Sequence, residues 1–234
     1  MSYLVNPYKV SPSTTAPDYE ADMQSDPSWT VSADATNNFY DSTNKYFKWK
    51  LSYSNGTVIS KDISSYISGS ELQTKWVMRM TINPTDFGVY DSICFAGCSD
   101  TTSAMNSGNF CGVNWLMAYD RIVEIDSGSY SSAQNTWDST YYLTDNEGTD
   151  FFLEIIRDGS TITRSYYTDD TYSATYDNCD TGSACTKSDT LGGSFSNGLT
   201  YFYMNHPAYG GWSSSAYTQG VIKNLKLWDG ITSP

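Results

Sequence analysis

The chain has 234 residues and a mass of 26.0 kDa, with 13 Lys plus Arg against 26 Asp plus Glu, a formal net charge of −13. Without a basic cluster to meet phosphates, this balance excludes nucleic acid as a partner class. No apolar run has the length of a membrane-spanning helix, and an aromatic content of 15%, with 20 Tyr and 7 Trp, excludes a globally disordered chain.

Met1 to Pro7 shows neither a basic start nor an apolar secretory signal, so the chain reads as made without one or already processed. Residues 1–28 form an extended arm punctuated by Pro7, Pro12, Pro17 and Pro27, with Asp18, Glu20, Asp22 and Asp26 keeping its end solvated. From Trp29 the pattern has period two. Phe47 to Tyr53 alternates apolar and polar residues, and Asn55-Gly56 turns it into Thr57-Val58-Ile59. Residues 62–72 hold one helical turn. Trp76 to Ile82 is the next strand, which Asn83-Pro84 is expected to stop. Ser92–Gly97, Cys111–Ala118 and Arg121–Asp126 read as strands. Phe151–Arg157 turns at Asp158-Gly159 into Ser160–Tyr167, and Leu199–Asn205 and Gly220–Trp228 close the chain. No helical periodicity runs through ten or more positions. A dozen short strands with frequent turns imply two packed antiparallel sheets in one domain, residues 29–234.

Five Cys stand at 94, 98, 111, 179 and 185. Cys98 and Cys111 flank one polar loop, and Cys179 and Cys185 flank another. The expectation is a disulfide staple across each loop with Cys94 a buried thiol, the alternative being five reduced thiols. Zinc is not expected, because no pair of Cys-x-x-Cys units occurs and His206 is the only histidine. Asp169, Asp170, Asp177, Asn178 and Asp180 crowd one region, and Asp145, Asn146, Glu147 and Asp150 another. Calcium is therefore the candidate cofactor, with Asp177, Asn178 and Asp180 the nominated ligands against a default of solvated acidic turns. Asn55-Gly56-Thr57 is a formal glycosylation sequon.

The run Asn205-His206-Pro207-Ala208-Tyr209-Gly210-Gly211-Trp212, continuing to Tyr217, joins the last two strands. It gathers aromatic faces beside amide and hydroxyl groups, the combination a sugar ring needs. Asn205, His206, Tyr209, Trp212 and Tyr217 are thus the candidate glycan-binding residues, against the alternative that Trp212 caps the core.

Trp76 to Ile82, the Ala96-Gly97-Cys98-Ser99-Asp100 turn, Phe151 to Gly159 and the closing Gly220-Val221-Ile222-Lys223-Asn224-Leu225-Lys226-Leu227-Trp228-Asp229-Gly230 together resemble the concanavalin-A-like lectin/glucanase (laminin-G-like) jelly rolls over about residues 29–230. The resemblance implies an all-β, two-sheet antiparallel sandwich with one convex and one concave sheet, ligands lying on the concave face or at its loops. The glucanases of that superfamily carry Glu-x-Asp-x-Glu on one strand. Glu124-Ile125-Asp126 matches the first half, but Gly128 and Ser129 stand where the second acid is needed. Hydrolysis with retention requires two carboxyl groups, so Glu124 and Asp126 are a weak catalytic pair. A Ser-His-Asp site would have to use His206, and no Gly-x-Ser-x-Gly elbow or phosphate loop exists.

The sequence therefore points to a non-enzymatic β-sandwich for glycan binding, adhesion or assembly, outside cells or on a virion surface, as a phage or virion structural protein. Its arm is expected to dock on a neighbouring subunit. The rival readings are a polysaccharide hydrolase or lyase and a free carbohydrate-binding module.

Overall fold

The structure is a computed structural model that describes residues 15–52, 54, 56–86, 93–103, 108–116, 119–125, 147–173, 175, 186–191, 198–206 and 217–234. In chain order the strands are β1 (Tyr19–Ala21), β2 (Thr30–Val31), β3 (Phe39–Asp41), β4 (Tyr46–Ser52), β5 (Val58–Asp62), β6 (Lys75–Asp86) and β7 (Ile93–Ser99). They continue with β8 (Phe110–Leu116), β9 (Tyr119–Ile125), β10 (Phe151–Asp158), β11 (Thr161–Tyr167), β12 (Thr186–Thr190), β13 (Tyr201–Asn205) and β14 (Tyr217–Asp229). One 3-10 turn, Ser68–Ser70, lies within the expected 62–72 segment, and no other helix occurs among the described residues.

Two antiparallel sheets result. The larger has eight strands in the order β12-β11-β10-β6-β14-β4-β3, with β1 also on β14, and the smaller has six in the order β2-β5-β13-β7-β8-β9. Alternation sends one side of every strand into the space between them. There Trp49, Trp76, Trp115, Phe151, Tyr166, Phe202, Leu51 and Met204 are fully buried in one cluster. Trp115 Nε1 donates to the Tyr166 hydroxyl at 2.7 Å, a hydrogen bond that ties β8 of one sheet to β11 of the other.

Strand β14 organises the larger sheet. It pairs with β6 from Gln219 to Asp229, while its other edge takes β4 along 217–222 and β1 along 225–227. Residues 15–28 therefore pack on this chain's own sheet: Tyr19, Ala21 and Met23 are buried in the core, Trp29 Nε1 donates to Tyr19 at 2.8 Å, and Trp228 Nε1 donates to the Thr15 carbonyl.

Two expectations change. The strand expected to end at Asn83-Pro84 runs on to Asp86. Pro84 is tolerated because it pairs with Gly220 beside a bulge in β6, where the ladder skips Thr85 and no proline N–H is required. A Cβ on Gly220 would lie 2.5 Å from the Asn83 carbonyl oxygen and 2.7 Å from Trp49, so only glycine lets the strands close there.

The expected Cys98–Cys111 staple does not form. Both residues are buried thiols standing opposite each other on β7 and β8, not in the loop. The Asp100 N–H to Asn109 carbonyl bond two positions along fixes Cys98/Cys111 as a hydrogen-bonded pair. In such pairs the Cβ atoms stand about 5.5 Å apart, wider than the ~3.8 Å a disulfide spans. Burial also pushes the Cys98 thiol well above its ordinary value, which suppresses the thiolate that would react. Cys179 and Cys185 lie outside the described residues.

The outer face of the six-stranded sheet as candidate functional site

The side of β13, β7 and β8 that faces away from the sandwich core is not a simple solvated surface. Phe202, Met204, Cys94, Ala96, Val113 and Trp115 point into the core, so alternation turns Tyr203, Asn205, Phe95, Gly97, Phe110, Gly112 and Asn114 outward. Register then sets Val58, Asn205, Phe95 and Asn114 side by side in one row, and Ser60, Tyr203, Gly97 and Gly112 in the next.

The two rows interlock. Gly97 and Gly112 are direct partners, and a Cβ on Gly112 would come within 2.7 Å of the Gly97 Cα. The gap they leave is taken by Phe95, whose ring tip a Cβ on Gly97 would meet at 2.9 Å. Phe95, Phe110 and Tyr203 pack edge to face or tilted at 4.9 to 6.0 Å, forming with Val58 a second buried cluster outside the main core. The Tyr203 hydroxyl donates to the Ser103 carbonyl at 2.9 Å and holds the β7–β8 loop down. Burial pushes the Tyr203 phenol up, with the Asn205 hydrogen bond opposing.

On this apolar floor sit two amides. Asn114 is 1% exposed and Asn205 5% exposed, yet neither Oδ1 accepts a hydrogen bond from a described donor. An orphaned buried acceptor costs about 1–3 kcal/mol, and here two lie in one row separated by Phe95. His206, the next residue after Asn205, is also buried. On β13, β7 and β8 this face offers amide, phenol and hydroxyl groups and no carboxylate.

Of the residues nominated from sequence, Asn205 ends β13 in this region and His206 follows it, both of them buried. Tyr209 and Trp212 lie outside the described residues. Tyr217 opens β14 on the other sheet, where its hydroxyl donates to Asp86 at 2.7 Å and Lys50 Nζ lies 4.4 Å from its ring. Asn205 and Tyr217 thus do not share a surface. Glu124 lies on β9 opposite Cys111, while Asp126, Asp145, Asn146, Asp177, Asn178 and Asp180 lie outside the described residues. Asp150 takes Lys223 and Asn83, and Asp169 caps its own turn through Thr171. No group of three metal-ligating side chains gathers among the described residues. Asn114 was missed. Its signal was a lone amide in Phe110-Cys111-Gly112-Val113-Asn114-Trp115, a polar side chain inside a strand that otherwise reads as buried.

No family model and no curated protein matches the chain. Solved structures do. The exoplasmic/lumenal domain of VIP36 in its Ca2+/Man3GlcNAc-bound form superposes with a TM-score of 0.55 at 13% identity, covering 93% of this chain and 90% of that one. Alginate lyase A1-II', a member of polysaccharide lyase family 7, gives 0.53 at 10% identity, covering 85% and 86%. A mutant of the GH43 protein BlXynB from Bacillus licheniformis gives 0.51 at 10% identity, covering 90% of this chain but 39% of the other. The fold is thus a concanavalin-A-like jelly roll of two antiparallel sheets. No helix among the described residues is long and apolar enough to cross a membrane.

Proposed function

We propose that this chain is a non-catalytic carbohydrate-binding sandwich whose ligand meets the outer face of the six-stranded sheet. The observation that carries the reading is the pair of orphaned amide oxygens on Asn114 and Asn205. Two unspent acceptors call for O–H donors, which a neutral sugar supplies and a carboxylate does not. Both oxygens lie below the surface, so the group that reaches them is a projecting hydroxyl and not the flat of a ring. The solved sandwiches of similar fold include the VIP36 exoplasmic/lumenal domain in its Man3GlcNAc-bound form and an alginate lyase, which supports carbohydrate as the ligand class. Display or assembly on a virion draws no support from these likenesses.

A second reading, a polysaccharide lyase, has His206 beside Asn205 in its favour. Against it, the Tyr203 phenol is held protonated by burial and committed to the Ser103 carbonyl, so it is not poised to move a proton. The hydrolase reading has Glu124 but no second acid on β13, β7 or β8.

The test is a neutral-glycan array read with the intact chain and with Asn114→Leu. Capture by the parent and loss in the variant, at an unchanged melting temperature, are expected. Parent binding that survives the substitution, or an array silent for the parent, removes the reading.

A further inference from the structure

The outer face of the eight-stranded sheet is built on other chemistry. Register places Lys226, Arg79, Glu154, Ser165 and Thr186 side by side across β14, β6, β10, β11 and β12. Arg79 Nε donates to Glu154 Oε2 at 2.6 Å, and Glu154 Oε1 accepts from the Tyr167 hydroxyl at 2.8 Å. The Glu154 side chain is 5% exposed and that of Arg79 20%. The guanidinium carbon lies 4.4 Å from the Tyr172 ring centre and 5.5 Å from that of Trp228.

An independent observation marks this cluster. Tyr172 has φ 53°, the left-handed region that a bulky aromatic residue rarely enters. The turn that imposes it is fixed by Asp169, whose carboxylate accepts the Thr171 N–H at 2.9 Å and whose carbonyl accepts the Tyr172 N–H at 3.3 Å. The Tyr172 hydroxyl is hydrogen-bonded to Thr81, and its ring edges meet Tyr167 at 5.3 Å and Phe152 at 6.3 Å. Backbone strain of this kind persists where the surroundings over-determine it, and here what it achieves is to lay a ring over Arg79.

The consequence is a guanidinium with a fixed plane and unspent donors. Nε is committed to Glu154, while neither Nη donates to a protein acceptor among the described residues. The Nη edge presents parallel N–H groups, the fork that matches a carboxylate in a bidentate pair. We propose that Arg79 is the anion receptor of a second binding site, which takes the carboxylate of an acidic polysaccharide. A peptide is the poorer occupant, because β6 lies between β10 and β14 and offers no open backbone edge for an added strand. A sugar chain can use the paired hydroxyls two strands away, Ser165 with Thr186 at 2.9 Å and Thr163 with Ser188 at 2.8 Å. The site is independent of the amides on the opposite sheet.

The experiment is titration calorimetry of the full chain with oligogalacturonate, its methyl ester, and a Glu-rich peptide. The acid form should bind and the ester should not. Arg79→Lys keeps an ammonium against Glu154 but loses the fork, so it should fold and bind at least about tenfold more weakly, the loss expected for one bidentate charge-assisted contact. Arg79→Gln combined with Glu154→Gln removes both charges without stranding either, and should also lose binding. Equal binding of acid and ester, no binding of the acid, or unchanged affinity in Arg79→Lys overturns the proposal. Arg79-dependent binding of the peptide without binding of the oligogalacturonate overturns its choice of occupant.

Discussion

The two outer faces of this sandwich solve the same problem in opposite ways. On the eight-stranded sheet, charges are matched in register: Lys75 with Asp158, Arg79 with Glu154 and Lys226 with Glu20 are direct cross-strand partners and all form ion pairs. On the six-stranded sheet the described residues carry no ion pair. They form a buried aromatic layer under two amides whose oxygens are unmatched. Pairs such as Lys75–Asp158 are half exposed and contribute little to stability, but they keep that face polar. The unmatched amides do the reverse, lowering the stability of the free protein and leaving acceptors for something else.

The largest effect expected on either face is Gly112→Ala. Its Cβ would clash with the Ala96 carbonyl oxygen and stand 2.7 Å from the Gly97 Cα, which are backbone atoms that cannot swing aside. A loss of about 3 kcal/mol in denaturant unfolding is expected. A loss below about 1 kcal/mol would mean that the six-stranded face is loosely packed and no more rigid than the charged one. Next is Glu154→Ala, which strands a partly buried guanidinium and deprives Tyr167 of its acceptor. About 2–3 kcal/mol is expected by the same measurement, far above the exposed Asp158→Ala, which should cost less than about 1 kcal/mol.

A smaller effect appears in the dependence of stability on pH. Burial first, and the Glu154 hydrogen bond second, push the Tyr167 phenol up from 10.0 to about 12. Tyr19, buried against Trp29, is also pushed up to about 12. Below pH 10 both folded and unfolded chains hold these protons, and stability is complete. Between pH 10 and 12 the unfolded chain releases them while the folded one does not, so stability falls as pH rises. Tyr167→Phe should flatten this alkaline limb, read as the unfolding midpoint against pH. An unaltered limb would mean that Tyr167 is not the group that couples the charged face to pH.

These contrasts were unevenly legible in the sequence. Strong alternation in Phe47–Leu51, Trp76–Ile82 and Phe151–Arg157 encodes burial directly, and Asp158-Gly159 encodes its hairpin, with Gly159 at φ 63°. Strand β12, Thr186-Lys187-Ser188-Asp189-Thr190, was invisible because an edge strand held by β11 needs no apolar side chain. Strand β1 was hidden by the prolines around it, since its pairing with β14 is a tertiary contact more than 200 residues away in the chain. Candidate loop residues clustered in the sequence, but Asn205 and Tyr217 belong to different sheets, a separation that only topology reveals. The site residue with the clearest physical signature, Asn114, owes it to register against Phe95 and Asn205, which no local pattern displays.

The smallest predicted effect is also the most discriminating, because the molecule contains its own control. Asn38 and Asn114 are each 1% exposed. Asn38 is spent on structure: its Nδ2 donates to the Asp34 and Lys50 carbonyls at 3.0 and 3.1 Å, and its Oδ1 accepts the Lys50 N–H at 2.8 Å. Replacing it with Leu strands the N–H and carbonyl of Lys50, while the Asp34 carbonyl keeps its backbone bonds from Asn37 and Asn38, and about 2–3 kcal/mol should be lost. Asn114→Leu removes an acceptor that no described donor satisfies and fills its place with carbon, so the unfolding free energy should move by no more than about 0.5 kcal/mol, in the stabilising direction if at all. If the two substitutions cost the same, Asn114 is a structural amide like Asn38, and the six-stranded face has no unspent acceptor to offer a ligand. If only Asn38→Leu is costly, the amide at 114 is retained at the expense of stability, which is the mark of a group kept for something outside the fold.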